Sequence, residues 1–245
     1  MTFRLSNSEF LLSDASRKRS SRGFRASRSD WETNVDLESM RQTAIKALDW
    51  ATSVDIPAAK KAVAAMRKDH PKDTPDELAA RLCESAVWKS AAAGVALGIA
   101  SNPFVAVGAA LADAAVTLRT QLEMAGRVAL CHDPNHFDNE GAVEELLVPV
   151  MGATAAHEML KGIGPVGAVS LTQQLIRKSM TGQGSGLIQS FAIRVLMRQL
   201  PQRGFASKAI PLLGGLISGV WNWNDTSRAG DRVRAYFRGD PLPAD

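Results

Sequence analysis

Residues 90–118 read SAAAGVALGIASNPFVAVGAALADAAVTL, the most apolar part of a chain of 245 residues. The run is interrupted once, at Ser101-Asn102-Pro103, and carries a single acid, Asp113. The residue before a proline is pushed out of the α region, and Ser-Asn-Pro is turn chemistry. Two helices, roughly 76–100 and 103–130, are therefore expected to meet at a tight corner. The apolar part of the first arm, Ala91–Ala100, is only about 15 Å long at the helical rise, half of the hydrocarbon thickness of a bilayer. Neither arm spans a membrane alone. Read through with a kink, the run is long enough to cross, but Asp113 then costs roughly 2.5–3.5 kcal/mol inside the apolar layer. Three readings follow: a buried hairpin, a re-entrant or interfacial hairpin, and a span.

Folding about Ser101-Asn102 brings Asp113 level with Ser90, next to Lys89. A carboxylate inside apolar packing stays charged only when it is paired. Lys89 and Asp113 are accordingly expected to form an ion pair, the plain alternative being an outward, solvated Asp113. The first arm also offers small residues. Gly94 and Gly98 form one G-x-x-x-G strip, and Gly215 and Gly219 form a second near the end of the chain. Such strips let backbones approach closely, so the two segments are expected to pack together.

Working outward, composition supports an all-α chain. Tyr occurs once, Ala and Leu abound, and no strand alternation is found. A mean hydropathy of −0.08 is too polar for a polytopic membrane protein. Two cysteines, Cys83 and Cys131, make no disulfide framework and sit in helical apolar patterns, which suits buried thiols in a reducing compartment. The net charge of +4 is uneven: seven of the 29 basic residues but only three of the 25 acids fall in the first thirty positions. The remainder of the chain is neutral. A basic groove on the folded part is thus not implied, which argues against nucleic acid as a partner.

Residues 1–29 are Ser/Arg-rich and cannot bury enough surface to fold alone. No apolar run follows the arginines as a secretory signal would require. Arg17, Lys18, Arg19 and Arg22 could contact anionic headgroups, each worth about 1 kcal/mol near a surface, or form a solvated tail. The folded domain is expected over residues 30–238, with coil from 239 to 245. Ser29 to Glu32 has capping-box spacing, Asp55-Ile56-Pro57 opens a helix, and Thr74-Pro75-Asp76-Glu77 is the clearest helix start in the chain. Further helices are expected at about 140–160, 168–180, 186–199 and 208–238, around a loop at 132–139 and glycine joints at 162–167 and 182–186.

Lys208–Phe237, KAIPLLGGLISGVWNWNDTSRAGDRVRAYF, resembles the closing segment of the EcsC family: Lys-x-x-Pro, a Gly pair, a small residue, an Asn, then a Gly leading into a helix that ends in an aromatic. Ala91–Leu130 is similar to that family's Gly/Ala-rich helix pair, here with Pro103, Asp113 and Gln121. Leu146–Lys161 resembles its next helix. Where the family usually has an aromatic-Gly pair and an Asp, this chain has Leu130-Cys131-His132-Asp133. The resemblance covers about residues 35–238. It implies a helical domain, a bacterial cytoplasmic setting or one peripheral to the inner face of the membrane, and, in some members, association with ABC transporter systems. It brings no agreed catalytic residues and no cofactor.

Chemical motifs give little support to an enzyme. Gly162-Ile163-Gly164-Pro165-Val166-Gly167 matches a dinucleotide fingerprint in letters, but a helix precedes it and Pro165 removes an N–H. His157-Glu158 opens an H-E-x-x-H pattern in which Lys161 replaces the second His. Ser185 lacks the strand-turn-helix setting of a nucleophile elbow. The weak metal candidates are Cys131, His132, Asp133 and His136, with Asp138 nearby, one loop without a second ligand pair elsewhere. Trp221 and Trp223, with Arg228 close by, suit a membrane interface or ordinary packing. The favoured reading is a non-enzymatic accessory protein docked on an anionic membrane surface or a membrane protein complex. The alternative is a soluble helical enzyme or ligand-binding module with a pocket near His132, His136 and His157.

Overall fold

The structure, a computed structural model, describes residues 37–99, 106–139, 141–154 and 211–243. Among these the protein is all-α: α1 (Leu37–Thr52), α2 (Ile56–Asp69), α3 (Pro75–Ile99), α4 (Ala106–His132), a 3₁₀ turn (His136–Asp138), α5 (Ala142–Met151) and α6 (Pro211–Arg238). The expected tail, the capping box at Ser29, the glycine joints and the helices at 168–180 and 186–199 lie outside the described residues.

Local chemistry sets the helix starts. Asp55 caps α2 by accepting the Ala58 N–H at 2.9 Å. Thr74 and Glu77 form the reciprocal box that opens α3: the Glu77 carboxylate accepts the Thr74 N–H at 2.7 Å, and Thr74 Oγ1 accepts the Glu77 N–H at 3.3 Å. At the other end of the chain, Gly239 at φ +82° terminates α6, a conformation that favours glycine. The helix expected over 140–160 is interrupted at Gly152, with Ala153 and Thr154 helical again and 155–160 outside the described residues. Pro149 contributes no N–H, and Gly152 stands at φ +98°, so α5 stops at Met151.

Helices α3 and α6 run antiparallel along most of their lengths. Near one end Gly94 meets Ser218 and Asn222; midway Cys83 lies against Gly230; at the far end Asp76 reaches Arg234. Helix α4 runs alongside α6 in the same direction, with Asp113 at the level of Ser218 and Asn222 and Gln121 at the level of Thr226. The first G-x-x-x-G segment therefore does pack on the second, at Gly94 and Gly219. A Cβ on Gly219 would lie 2.6 Å from Val95 Cγ2 and 3.1 Å from the Ala91 carbonyl oxygen. The surroundings of Gly98 and Gly215 are not among those described.

The main apolar core fills the half of this three-helix layer away from the corner. Leu122, Met124, Ala125 and Val128 of α4 pack there with Leu146 and Val148 of α5 and Val233 and Tyr236 of α6. A second cluster, Ala59, Val63, Leu78, Leu82, Leu130 and Cys131, seats α2 on α3 and α4. Ala44 seats α1 on Leu111 and Ala114. Two arginines close helix ends: Arg67 donates to the Leu130 and Cys131 carbonyls at 3.1 Å each, and Arg232 donates to those of Pro149 at 3.0 Å and Val150 at 2.7 Å. Cations at helix C-termini satisfy orphan carbonyls and oppose the negative pole.

Candidate functional site

The corner half of the α3–α4–α6 layer has a polar interior. On α4, Asp113, Thr117 and Gln121 follow one another at four-residue spacing; on α6, Ser218, Asn222 and Thr226 do the same. Four-residue spacing keeps each row on one helix face, and the two rows meet. Asn222 Nδ2 donates to Asp113 Oδ1 at 3.1 Å, and Ser218 Oγ donates to Asp113 Oδ2 at 3.4 Å. One turn on, Gln121 Nε2 donates to Thr226 Oγ1 at 3.4 Å, which in turn donates to Ser90 Oγ of α3 at 2.9 Å. Ser90, Thr117, Gln121, Asn222 and Thr226 are all buried. Thr117 Oγ1, at 3 % residue exposure, has no hydrogen-bond partner among the described residues. The small residues explain how α3 comes close enough: a Cβ on Gly94 would sit 2.6 Å from Asn222 Nδ2 and 2.9 Å from the Ser218 carbonyl oxygen.

This geometry corrects the expected ion pair. Lys89 is exposed on α3, and the Asp113 carboxylate is held by Asn222 and Ser218 instead. Asp113 lies at the level of Gly94, and Ser90 belongs one turn on, with Thr226. Residue 89, however, lies a further 100° around the helix, on the outer face. Neutral donors from α6 take the place of the cation.

The outside of the same half exposes several large apolar side chains. Trp88 of α3 is 61 % exposed, and Val220 and Trp221 of α6 are 67 % and 47 % exposed. Trp223, half-buried, meets Trp88 edge-to-face with ring centroids 4.4 Å apart. Trp221 thus lies at the surface, while Trp223 packs against Trp88. Arg17, Lys18, Arg19 and Arg22 lie outside the described residues, as does His157.

The weak metal candidates are not gathered into a site. Cys131 points into the α2–α3–α4 cluster, where burial pushes its thiol up to about 11. His132 stacks on Phe237 with centroids 6.1 Å apart; burial lowers its pKa, the Asp76 carboxylate raises it, and Arg238 and Arg234 lower it again. His136 is fully buried, edge-on to Phe137 and Phe237, with Nε2 at 3.3 Å from the Ala142 carbonyl oxygen. Asp133 Oδ1 accepts the Asn135 N–H at 3.0 Å within the loop, and Asp138 lies 3.7 Å from Lys60. No group of three or more His, Cys, Asp or Glu is placed to hold a metal ion among the described residues. Cys83, pushed up to about 12 by burial, is equally far from a reactive thiolate.

Sequence reasoning missed Trp88, Val220 and most of the seam. The signal was present as two polar rows at i, i+4 and i+8 inside apolar helices, one starting at Asp113 and the other at Ser218. The arrangement can do little acid–base chemistry, since a single carboxylate is tied to an amide and a hydroxyl. It defines a helical bundle whose corner half carries a polar interior and an indole-bearing surface.

No described helix is long and apolar enough to cross a membrane. Comparison of the chain with models of protein families, with curated proteins and with solved structures finds no match in any of the three.

Proposed function

We propose that this protein is a non-enzymatic docking protein, peripheral to an anionic membrane surface, and an accessory of the kind its resemblance to the EcsC family implies. The observation that carries the reading is the exposed pair of indoles, Trp88 and Trp221, on adjoining helices. Large exposed apolar groups mark interaction surfaces, and indoles settle at the boundary between headgroups and acyl chains. The stretches that resemble the family lend support, because Ala91–Leu130 and Lys208–Phe237 include the parts of α3, α4 and α6 that pack on one another. The basic residues Arg17, Lys18, Arg19 and Arg22 supply charge for anionic headgroups.

Flotation with phosphatidylglycerol-containing vesicles, at low and high salt and with or without residues 1–29, tests the proposal. Flotation at low salt with the tail present is the expected result. A protein that stays at the bottom of the gradient in every condition is not a membrane-docking protein, and a soluble role would replace this one.

A further inference from the structure

The α4–α6 seam holds two groups that hydrogen bonding within the bundle does not complete. The first is a charge. Asp113 is half-buried, and among the described residues its carboxylate meets no cation, only the Asn222 amide at 3.1 Å and the Ser218 hydroxyl at 3.4 Å. A carboxylate drawn out of water is costly without a positive partner. The second is a hydroxyl. Thr117, 3 % exposed, has no partner for Oγ1 among the described residues. It stands one turn from Asp113 and one turn from Gln121, and both of these reach α6. Thr117 therefore faces the same seam, between two bonded rungs.

The spacing of the oxygens says what they can hold. A hydroxyl that donates to a carboxylate ordinarily closes to about 2.5–2.7 Å, so 3.4 Å from Ser218 Oγ to Asp113 Oδ2 is long for that bond. Two oxygens that bind one cation at about 2.4 Å and at a right angle stand about 3.4 Å apart. Residues four apart on a helix set their Cβ atoms about 5–6 Å from each other, so Asp113 and Thr117 can reach one ion from the same helix. Facing helices of a bundle build metal sites in this way. One carboxylate among neutral oxygens balances a single positive charge, and oxygens at this spacing suit a cation of calcium's radius. Sodium combines that radius with that charge.

We infer that Asp113 Oδ2, Ser218 Oγ and Thr117 Oγ1 bind a sodium ion between α4 and α6, with Asn222 positioning the carboxylate through Oδ1. Asp113 and Ser218 are only half-buried, and water completes the shell from their open side. The ion supplies the charge that Lys89 does not, and it gives the Thr117 hydroxyl a partner. Trp88, Val220 and Trp221 take no part, so the site stands whether or not the protein docks on membranes.

Thermal melts of the full chain in sodium chloride and in choline chloride of equal ionic strength test the site. An ion that binds only the folded state raises the melting temperature with its concentration. The parent should melt about 3–5 °C higher with sodium at about ten times its dissociation constant. Asp113→Asn and Thr117→Val should each lose that difference. In choline chloride Thr117→Val should melt no lower than the parent, so it remains a folded test even if Asp113→Asn does not fold. Asp231→Asn, at an exposed acid of α6 outside the seam, should keep the sodium response. Equal melting temperatures of the parent in the two salts, or a response that survives in Thr117→Val or Asp113→Asn, overturns the site.

Discussion

At Gly94 and Gly219 the distance between two backbones is set by a missing methyl group. A side chain on Gly94 would meet the Ser218 carbonyl oxygen at 2.9 Å, and backbone cannot step aside as a flexible side chain can. Alanine normally favours a helix over glycine by up to about 1 kcal/mol, yet overpacking costs about 1–3 kcal/mol. Gly94→Ala should therefore be net destabilising, with a lower urea midpoint. Gly230→Ala, whose new Cβ would meet Cys83 at 3.2 Å, should lose less. Equal midpoints for the two variants would show that the α3–α6 spacing is not fixed at Gly94. The two seam threonines should respond in opposite directions. Thr117 buries a hydroxyl with no partner among the described residues, so Thr117→Val replaces it with an isosteric apolar group and should stabilise by about 1 kcal/mol. Thr226 joins Gln121 to Ser90, so Thr226→Val strands both and should destabilise by about 1–3 kcal/mol. Thermal melts of both variants decide it; a destabilised Thr117→Val would mean that its hydroxyl is satisfied.

Between elements, the coupling that matters joins α4 to α6 rather than α4 to α3. A double-mutant cycle of Asp113→Ala and Asn222→Ala should show an interaction energy of about 1–3 kcal/mol, as expected for a hydrogen bond to a charged group. The cycle pairing Asp113→Ala with Lys89→Ala should be additive within about 0.5 kcal/mol, and strong coupling there would restore the ion pair. The contrast also marks how far the sequence could be read. The starts of α2 and α3 and the packing of the Gly94 segment on the Gly219 segment rest on local chemistry or on small-residue strips, and each was legible; the turn expected at Asn102-Pro103 lies outside the described residues. The partner of Asp113 was not legible. Its register along the hairpin could be counted to within one helical turn, but whether Lys89 faced inward depended on where a helix more than a hundred residues later would lie. The break at Gly152 was missed for a nearer reason. The apolar period runs on through it, but a missing N–H at Pro149 and a positive φ at Gly152 interrupt the helix there. Trp88 was passed over because a lone indole in an apolar helix gives no sign of which way it faces; its 61 % exposure, edge-on to Trp223, follows from which face of α3 the helix α6 covers.

Across the whole molecule the two ends of the α3–α6 pair have different characters, and pH separates them. At the end far from the corner, Asp76 in the first turn of α3 accepts from Arg234 at 3.1 and 2.6 Å, with Arg238 at 3.5 Å. The Arg234 hydrogen bond holds the Asp76 carboxyl below its ordinary 3.8; burial opposes this, and the Arg234 and Arg238 charges add to the lowering. A carboxyl whose folded-state pKa is depressed stabilises the fold above its unfolded value, and that contribution disappears as pH falls through the folded value. Arg234→Gln should accordingly lower the urea midpoint at about pH 7, and the difference from the parent should shrink as pH falls through the lowered pKa of Asp76. His132 adds an earlier step. Its pKa is lowered from 6.5, first by burial, so the unfolded chain takes up its proton sooner and stability falls as pH drops below 6.5. His132→Gln should flatten the stability curve just below about pH 6.5. Neither substitution touches Trp88, Val220 or Trp221. Vesicle partitioning of the folded variants at neutral pH should therefore match the parent, and a matching loss of partitioning would mean that the bundle does not hold its docking end independently of its clamped one.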